Sequence, residues 1–293
     1  MLAIPNSPGI QPIAKVLSSR QITPPRPARR FFWPAAFIAS LWTSANLFSA
    51  DTNQITASPA QVKANSAARA RAALAEARSR FRADTNNAEA AWQFARACFD
   101  AADTATNNAV KAEVAEQGIA ACRQLLGRDS NSVPAHYYLG MDLGQLADTK
   151  RNPSAFKIVK EMEREFQAAR SLDERLDYAG PDRNLGLLYW QAPIIVSIGS
   201  RSKARQHLQR AVELAPDYPE NRLNLAEACL KWGDRNGARS ELKALEELWP
   251  AARKKFSGED WADDWIDWES RLNKARDKAG ETTKPLAAPS QKN

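Results

Sequence analysis

The sequence predicts an all-α protein: a right-handed solenoid of helical hairpins, with lengthened connections inside the hairpins and a capping helix at each end. Three observations predict it. The 293 residues are rich in Ala, Leu, Glu, Arg and Lys and poor in the Val-Ile-Thr runs that mark strands. Near the C-terminus a pattern of small and large apolar residues returns after 34 positions. Elsewhere, apolar residues recur at steps of three and four, the spacing of one helix face.

The first element is residues 1–50. They contain Lys15, Arg20, Arg26, Arg29 and Arg30 and no acid, so of the net charge of +7 only +2 belongs to residues 51–293. Arg26, Arg29 and Arg30 precede the largely apolar run Phe31–Trp42, and small residues follow. That order is the architecture of an export signal peptide, with cleavage after Ala45 or Ala50. Phe31–Ala50 carries no charge, so an uncleaved membrane anchor is the competing reading. Ser40, Thr43, Ser44, Asn46 and Ser49 make its second half a poor membrane core, and cleavage is favoured. The protein is then periplasmic or otherwise exported. Residues 51–88 hold a capping helix over 60–83, whose stripe is Ala67, Ala70, Leu74, Ala77 and Phe81.

Four helix pairs follow over residues 89–250. Ala204-x3-Leu208-x2-Ala211-x4-Pro216 repeats as Ala238-x3-Leu242-x2-Leu245-x4-Pro250. Small residues let two helices approach, larger ones fill the gap between them, and the proline closes the helix. This pattern resembles the second helix of a tetratricopeptide repeat. The first helices resemble the other half of that signature: Leu185-Gly186-x2-Tyr189, His136-x2-Leu139-Gly140-x2-Leu143 and, more loosely, Trp92-x2-Ala95-Arg96-x2-Phe99. From first to second helix the step is 22 residues in the first two pairs (Arg96 to Gly118, Gly140 to Met162) but 12 in the last (Ala226 to Ala238). The additional residues hold Asn107-Asn108 and Asn152-Pro153, which are turn formers, so longer helices meeting at a displaced loop are expected. The third pair carries a smaller insert centred on residues 193–199.

After the repeats, residues 251–279 hold a second capping helix. Ser257 is the expected N-cap, and Trp261, Trp265, Trp268 and Leu272 form its stripe. A tryptophan stripe suits a binding face, but a terminal repeat needs its apolar side covered, and the cap is favoured. Residues 280–293 read as a disordered polar tail.

Within this frame, Tyr137-Tyr138-Leu139-Gly140, Tyr178-Ala179-Gly180-Pro181-Asp182-Arg183-Asn184-Leu185-Gly186, Ser197-Ile198-Gly199 and Ala215-Pro216-Asp217-Tyr218-Pro219-Glu220-Asn221 resemble the T-component family of TRAP transporters and its relatives. The resemblance implies an exported repeat protein with enlarged inter-helix connections and an accessory role in solute uptake. No cysteine precedes Cys98, so a lipid anchor of the kind some members carry has no attachment point here.

Several function classes find no support. Arg78-Arg80-Arg82 and Arg253-Lys254-Lys255 are flanked by acids, and Arg201-Lys203-Arg205 is a small patch, so a nucleic-acid partner is rejected. His136 and His207 are the two histidines; no HExxH, CxxC, GxSxG or phosphate-cradling loop occurs, and neither cofactor nor metal is expected. Cys98, Cys122 and Cys229 read as small core residues, with a Cys98–Cys122 disulfide as the minority alternative.

What remains is a non-catalytic scaffold that holds a peptide or protein partner on the concave face lined by the first helices. The runner-up, a periplasmic accessory protein binding a small solute, is what the transporter resemblance implies. Self-association is compatible with either, and membrane contact requires a retained N-terminal segment. Extending the register places Tyr137, Met141 and Gln145, then Arg183, Leu187 and Trp190, then Leu223, Glu227 and Lys231 on that face. Aromatic area, a guanidinium for a carboxylate and an adaptable methionine suit recognition. The alternative for Trp190 is local core with Ile194, Ile195 and Val196.

Overall fold

A computed structural model describes residues 58–150, 154–192 and 198–280. The expected export segment, the tail and residues 193–197 of the apolar insert lie outside the described residues. Among those described there are ten α-helices and no strand: α1 (Pro59–Ala83), α2 (Ala88–Asp103), α3 (Asn108–Leu126), α4 (Val133–Thr149), α5 (Ser154–Leu172), α6 (Leu176–Gln191), α7 (Arg201–Leu214), α8 (Pro219–Lys231), α9 (Arg235–Lys255) and α10 (Ala262–Ala279). Helices α2/α3, α4/α5, α6/α7 and α8/α9 pack as consecutive antiparallel hairpins, which is the predicted helical-repeat solenoid.

Local chemistry accounts for the helix starts. Ser58, Asn87, Asn107, Ser200 and Asp234 each accept a backbone N–H of the first turn through their side chains. Asn107-Asn108 thus turns the chain into α3 by capping it. Helix α2 runs on to Asp103, so the first displaced loop falls where its turn formers predicted it; α4 runs on to Thr149, and Asn152-Pro153 lie outside the described residues.

The hairpins close on small residues. A Cβ at Gly140 would stand 2.6 Å from the Phe166 ring of α5, and one at Gly186 would stand 2.7 Å from Leu208 Cγ and 3.0 Å from its backbone nitrogen on α7. The main core runs through Phe99, Ile119, Tyr137, Leu139, Met141, Leu143, Met162, Phe166, Leu185 and Tyr189. A second core gathers Leu214, Tyr218, Leu242, Leu245, Trp249, Phe256, Trp265, Trp268 and Leu272 under the C-terminal cap. Trp265, Trp268 and Leu272 are buried, so the tryptophan stripe is packing surface.

Two expectations need correction. Pro250 does not close α9, which continues to Lys255 with the proline on its exposed side. Trp249, Ala252 and Phe256 are buried, and Trp249 meets Trp265 edge-on at 5.1 Å, so burial beyond the proline outweighs its missing N–H. Ser257 does not cap α10. A 3-10 turn over Glu259–Trp261 intervenes, started by Gly258 at φ 97°, and α10 begins at Ala262. The reading of the cysteines as small core residues holds: Cys98 and Cys122 are buried free thiols, and the minority alternative of a disulfide between them is not formed. Burial pushes both up, with Asp142 adding to it, which keeps them unreactive.

The two ends of the solenoid meet. Helix α1 packs on α2 along Leu74 and Ala77 and also touches α10. Arg69 Nη2 donates to the Glu259 carbonyl at 3.1 Å.

Candidate functional site

The first helices of the hairpins are more deeply covered than an open concave face requires. Of the residues predicted to line that face, Tyr137, Met141, Gln145, Arg183 and Leu187 are each no more than 1 % exposed, and Leu223 is fully buried. Trp190 and Glu227 are half-buried, and Lys231 alone is exposed. Glu227 accepts from Arg271 Nε at 2.9 Å, joining α8 to α10. Side chains without accessible surface cannot serve as contacts for a partner, so their expected display on an open face is corrected. Trp190 packs against core, and Ile194, Ile195 and Val196, the partners of its alternative reading, lie outside the described residues.

For Tyr137 and Arg183 the cause is a strained turn. Asp177, Tyr178 and Ala179 have φ of 52°, 55° and 63°, three successive non-glycine residues in the left-handed region, before regular helix resumes at Gly180. That conformation costs about 1–2 kcal/mol per residue, and surrounding bonds must over-determine it. Arg183 Nη1 donates to the carbonyls of Asp177 (3.0 Å) and Tyr178 (3.1 Å), while Nη2 donates to the Asp177 carboxylate at 2.8 Å. Tyr137 donates to the same carboxylate at 2.5 Å, and Asn184 donates to the Tyr137 hydroxyl at 3.1 Å. From α8, Asn221 Nδ2 reaches the Tyr178 carbonyl at 3.1 Å. Burial, with Asp177 beside it, pushes the Tyr137 hydroxyl well up, so it remains a neutral donor. Arg183 therefore holds its own chain, where the sequence suggested it would hold a ligand.

Accessible openings lie on the other side of α6. Helices α5 and α7 flank it without packing substantially on each other, and two adjoining cavities of about 320 and 430 Å³ lie in the groove between them. Arg170, Gln206 and His207 line both. The floor is Asp182, whose fully buried carboxylate follows the turn just described. Arg170 Nε donates to its two oxygens at 2.9 and 3.0 Å, and His207 Nδ1 stands 2.7 Å from Oδ1. Arg170 gives Asp182 only its Nε, so both terminal nitrogens lack a partner among the described residues. Along the rim, Lys203 lies 4.8 Å over the Tyr189 ring and 3.9 Å from Glu163. Arg205 pairs with Asp234 at 2.9 Å and Arg210 with Glu174 at 2.9 Å. Four cations and two acids, Asp182 and Glu213, contribute to the lining.

The Asp182–His207 contact has the form of an acid–base pair, but among the described residues no nucleophile completes it. Ser202 shares the groove, and its hydroxyl bonds with Ser200 at 3.2 Å and not with His207. Sequence reasoning had singled out the rim residues Arg201-Lys203-Arg205 as a small patch, and Asp182 only as part of a resemblance. It missed the groove because Arg170, Asp182 and His207 sit on three helices with no shared period.

Comparisons with known proteins agree with the architecture. The family described as Regulator of microtubule dynamics protein 1-3 matches residues 57–178, and the family described as Tetratricopeptide repeat matches residues 199–248. Among solved structures, a thermophilic tetratricopeptide-repeat protein of Thermus thermophilus is similar, with 20% identity and a TM-score of 0.51, covering 74% of this chain and 94% of that one. MamA is similar with 19% identity and a TM-score of 0.43, covering 62% and 89%. No curated protein matches. The fold is thus a tetratricopeptide-type solenoid, an architecture whose usual work is non-catalytic protein binding. The resemblance to the transporter T-component is not carried by these matches.

Proposed function

We propose that the protein is an exported, non-catalytic scaffold that holds a peptide or protein partner in the groove between α5 and α7. The observation that carries this reading is the contrast between the two sides of α6. Its inward side is spent on the Asp177–Ala179 turn, and its outer side opens into cavities where the Arg170 terminal nitrogens and the Gln206 amide have no partner among the described residues. Both walls are regular helices, so the surface is preorganised and little ordering cost attends binding. Export rests on the basic-then-apolar order of residues 26–42 and the small residues after it. Among the described residues no helix is long and apolar enough to cross a membrane. The match to regulators of microtubule dynamics spans less than half the chain and is compatible with the same class of work, a binding scaffold.

A photo-crosslinking amino acid placed at Gln206 in the groove, and separately at Lys231 on α8, tests this in the native host. The expected result is a discrete protein adduct from Gln206 and none from Lys231. Adducts from Lys231 alone would return the partner to the inward side and overturn the groove reading.

A further inference from the structure

The chemistry of the groove selects among partners. We infer that it takes an acidic segment, with an aspartate or glutamate side chain lodged against Arg170 and further carboxylates drawn to the rim at Lys203. This rests on the groove being the partner surface.

Four observations lead to it. Arg170 is anchored through Nε by a carboxylate that cannot move, because Asp182 is fully buried and also held by His207. Its two terminal nitrogens then form a fixed fork at the mouth, the arrangement that binds a carboxylate bidentately with little further loss of freedom. Gln206, beside it, has no partner for its amide among the described residues and adds a donor. Lys203 is half-exposed, and its nearest acid stands at 3.9 Å, longer than a good hydrogen bond, so most of its field reaches solvent. Lastly, Arg201, Lys203 and Arg205 occupy the first turns of α7, where the helix dipole adds positive potential, and no acid lies in that stretch of sequence.

The acids nearby leave the terminal nitrogens of Arg170, with Lys203, as the cationic contacts: Asp182 is enclosed beneath Arg170 and His207, Asp234 pairs with Arg205, and both Glu174 and the lining Glu213 pair with Arg210. Length fits as well. From Lys203 to Arg210 the wall rises about 10 Å, which an extended peptide covers in about three residues.

Fluorescence anisotropy of the full-length protein with a labelled deca-glutamate peptide tests the inference. Neutral deca-(Gly-Ser), deca-lysine and a DNA duplex serve as the other arms. The expected order is deca-glutamate first by at least about 10-fold, equal to about 1.4 kcal/mol, with weakening as salt rises. Lys203→Glu and Gln206→Glu, both at exposed positions, should each weaken deca-glutamate binding about 10-fold while thermal melting stays unchanged. Arg170→Gln should do so more strongly. Because it also uncovers buried Asp182, the two exposed variants decide the matter if it fails to fold. Equal binding of the neutral peptide, tighter binding of DNA, or undiminished binding by both exposed variants overturns the inference. Competition by free glutarate at the concentration at which the peptide half-saturates would show a small-carboxylate site and overturn the peptide assignment. A crosslinked partner at Gln206 alongside failure here would leave the scaffold reading standing and remove only its acidic specificity.

Discussion

Arg183 has five donors in a rigid fork and uses them on two carbonyls, one carboxylate and a tyrosine hydroxyl. Arg183→Met would leave Asp177 buried without its cation, an expected loss of about 3–5 kcal/mol in urea unfolding. Arg183→Lys should rescue little of it, since an ammonium cannot reach all four acceptors at once. Tyr137→Phe removes one neutral donor and should cost about 1–2 kcal/mol. Asp142 poses a different question. It is fully buried on α4 beside Gly118, and neither carboxylate oxygen has a hydrogen-bond partner among the described residues. Burial, and secondarily Asp100, raises its pKa well above the usual carboxylate range. Asp148, nearby on the same helix, is pushed up to about 7, chiefly by burial and despite Lys111. A carboxyl whose pKa is raised on folding favours the folded state while protonated and loses that advantage as pH rises through its folded value. Wild-type stability should therefore fall between pH 5 and pH 8, and Asp142→Asn should fall less steeply. Equal slopes in urea titrations at the two pH values would show Asp142 to be ionisation-silent.

At the scale of elements, the hairpins depend on glycine at the crossings. Gly186→Leu must displace Leu208, whose backbone nitrogen is 3.0 Å from the new Cβ and cannot yield without moving α7. Gly140→Leu meets the Phe166 ring, enclosed in the core. Each should lower stability by about 1–3 kcal/mol through overpacking. Ala73→Leu, exposed on α1, should leave the melt unchanged. Glycine variants that melt like wild type would mean that α4 and α6 do not cross their partners at these positions. The lengthened helices, the loop at Asn107-Asn108 and the capping stripes were legible in sequence because each is a local matter of turn residues and spacing. The extension of α9 through Pro250 was not. A proline reads as a stop from its own chemistry, and only the apolar surface of α10 makes continuation worthwhile.

Across the whole molecule, α1 meets α10 and the 3-10 turn before it, and Arg69 and Glu259, 190 positions apart, join the two ends of the solenoid. The proposed export also belongs to this scale, since residues 1–50 carry +5 of the net charge of +7 and the rest is nearly neutral. Protein recovered from the native host should have the mass of a chain starting at Asn46 or Asp51. A mass that retains Arg29, together with fractionation into the inner membrane, would establish an anchor instead.

By itself the sequence determined the helical class, the number of hairpins and the crossings at Gly140 and Gly186, because a 34-residue period and a 3.6-residue face are written in consecutive residues. Which side of each hairpin stays open was decided only in the tertiary structure. Register alone gives Tyr137 and Arg183 an inward face, and nothing local announces that Asp177–Ala179 will be left-handed and will claim their polar groups. The groove had the same fate in reverse. Arg170, Asp182 and His207 carry no common spacing, and only the folding of α5, α6 and α7 around one buried carboxylate brings them together.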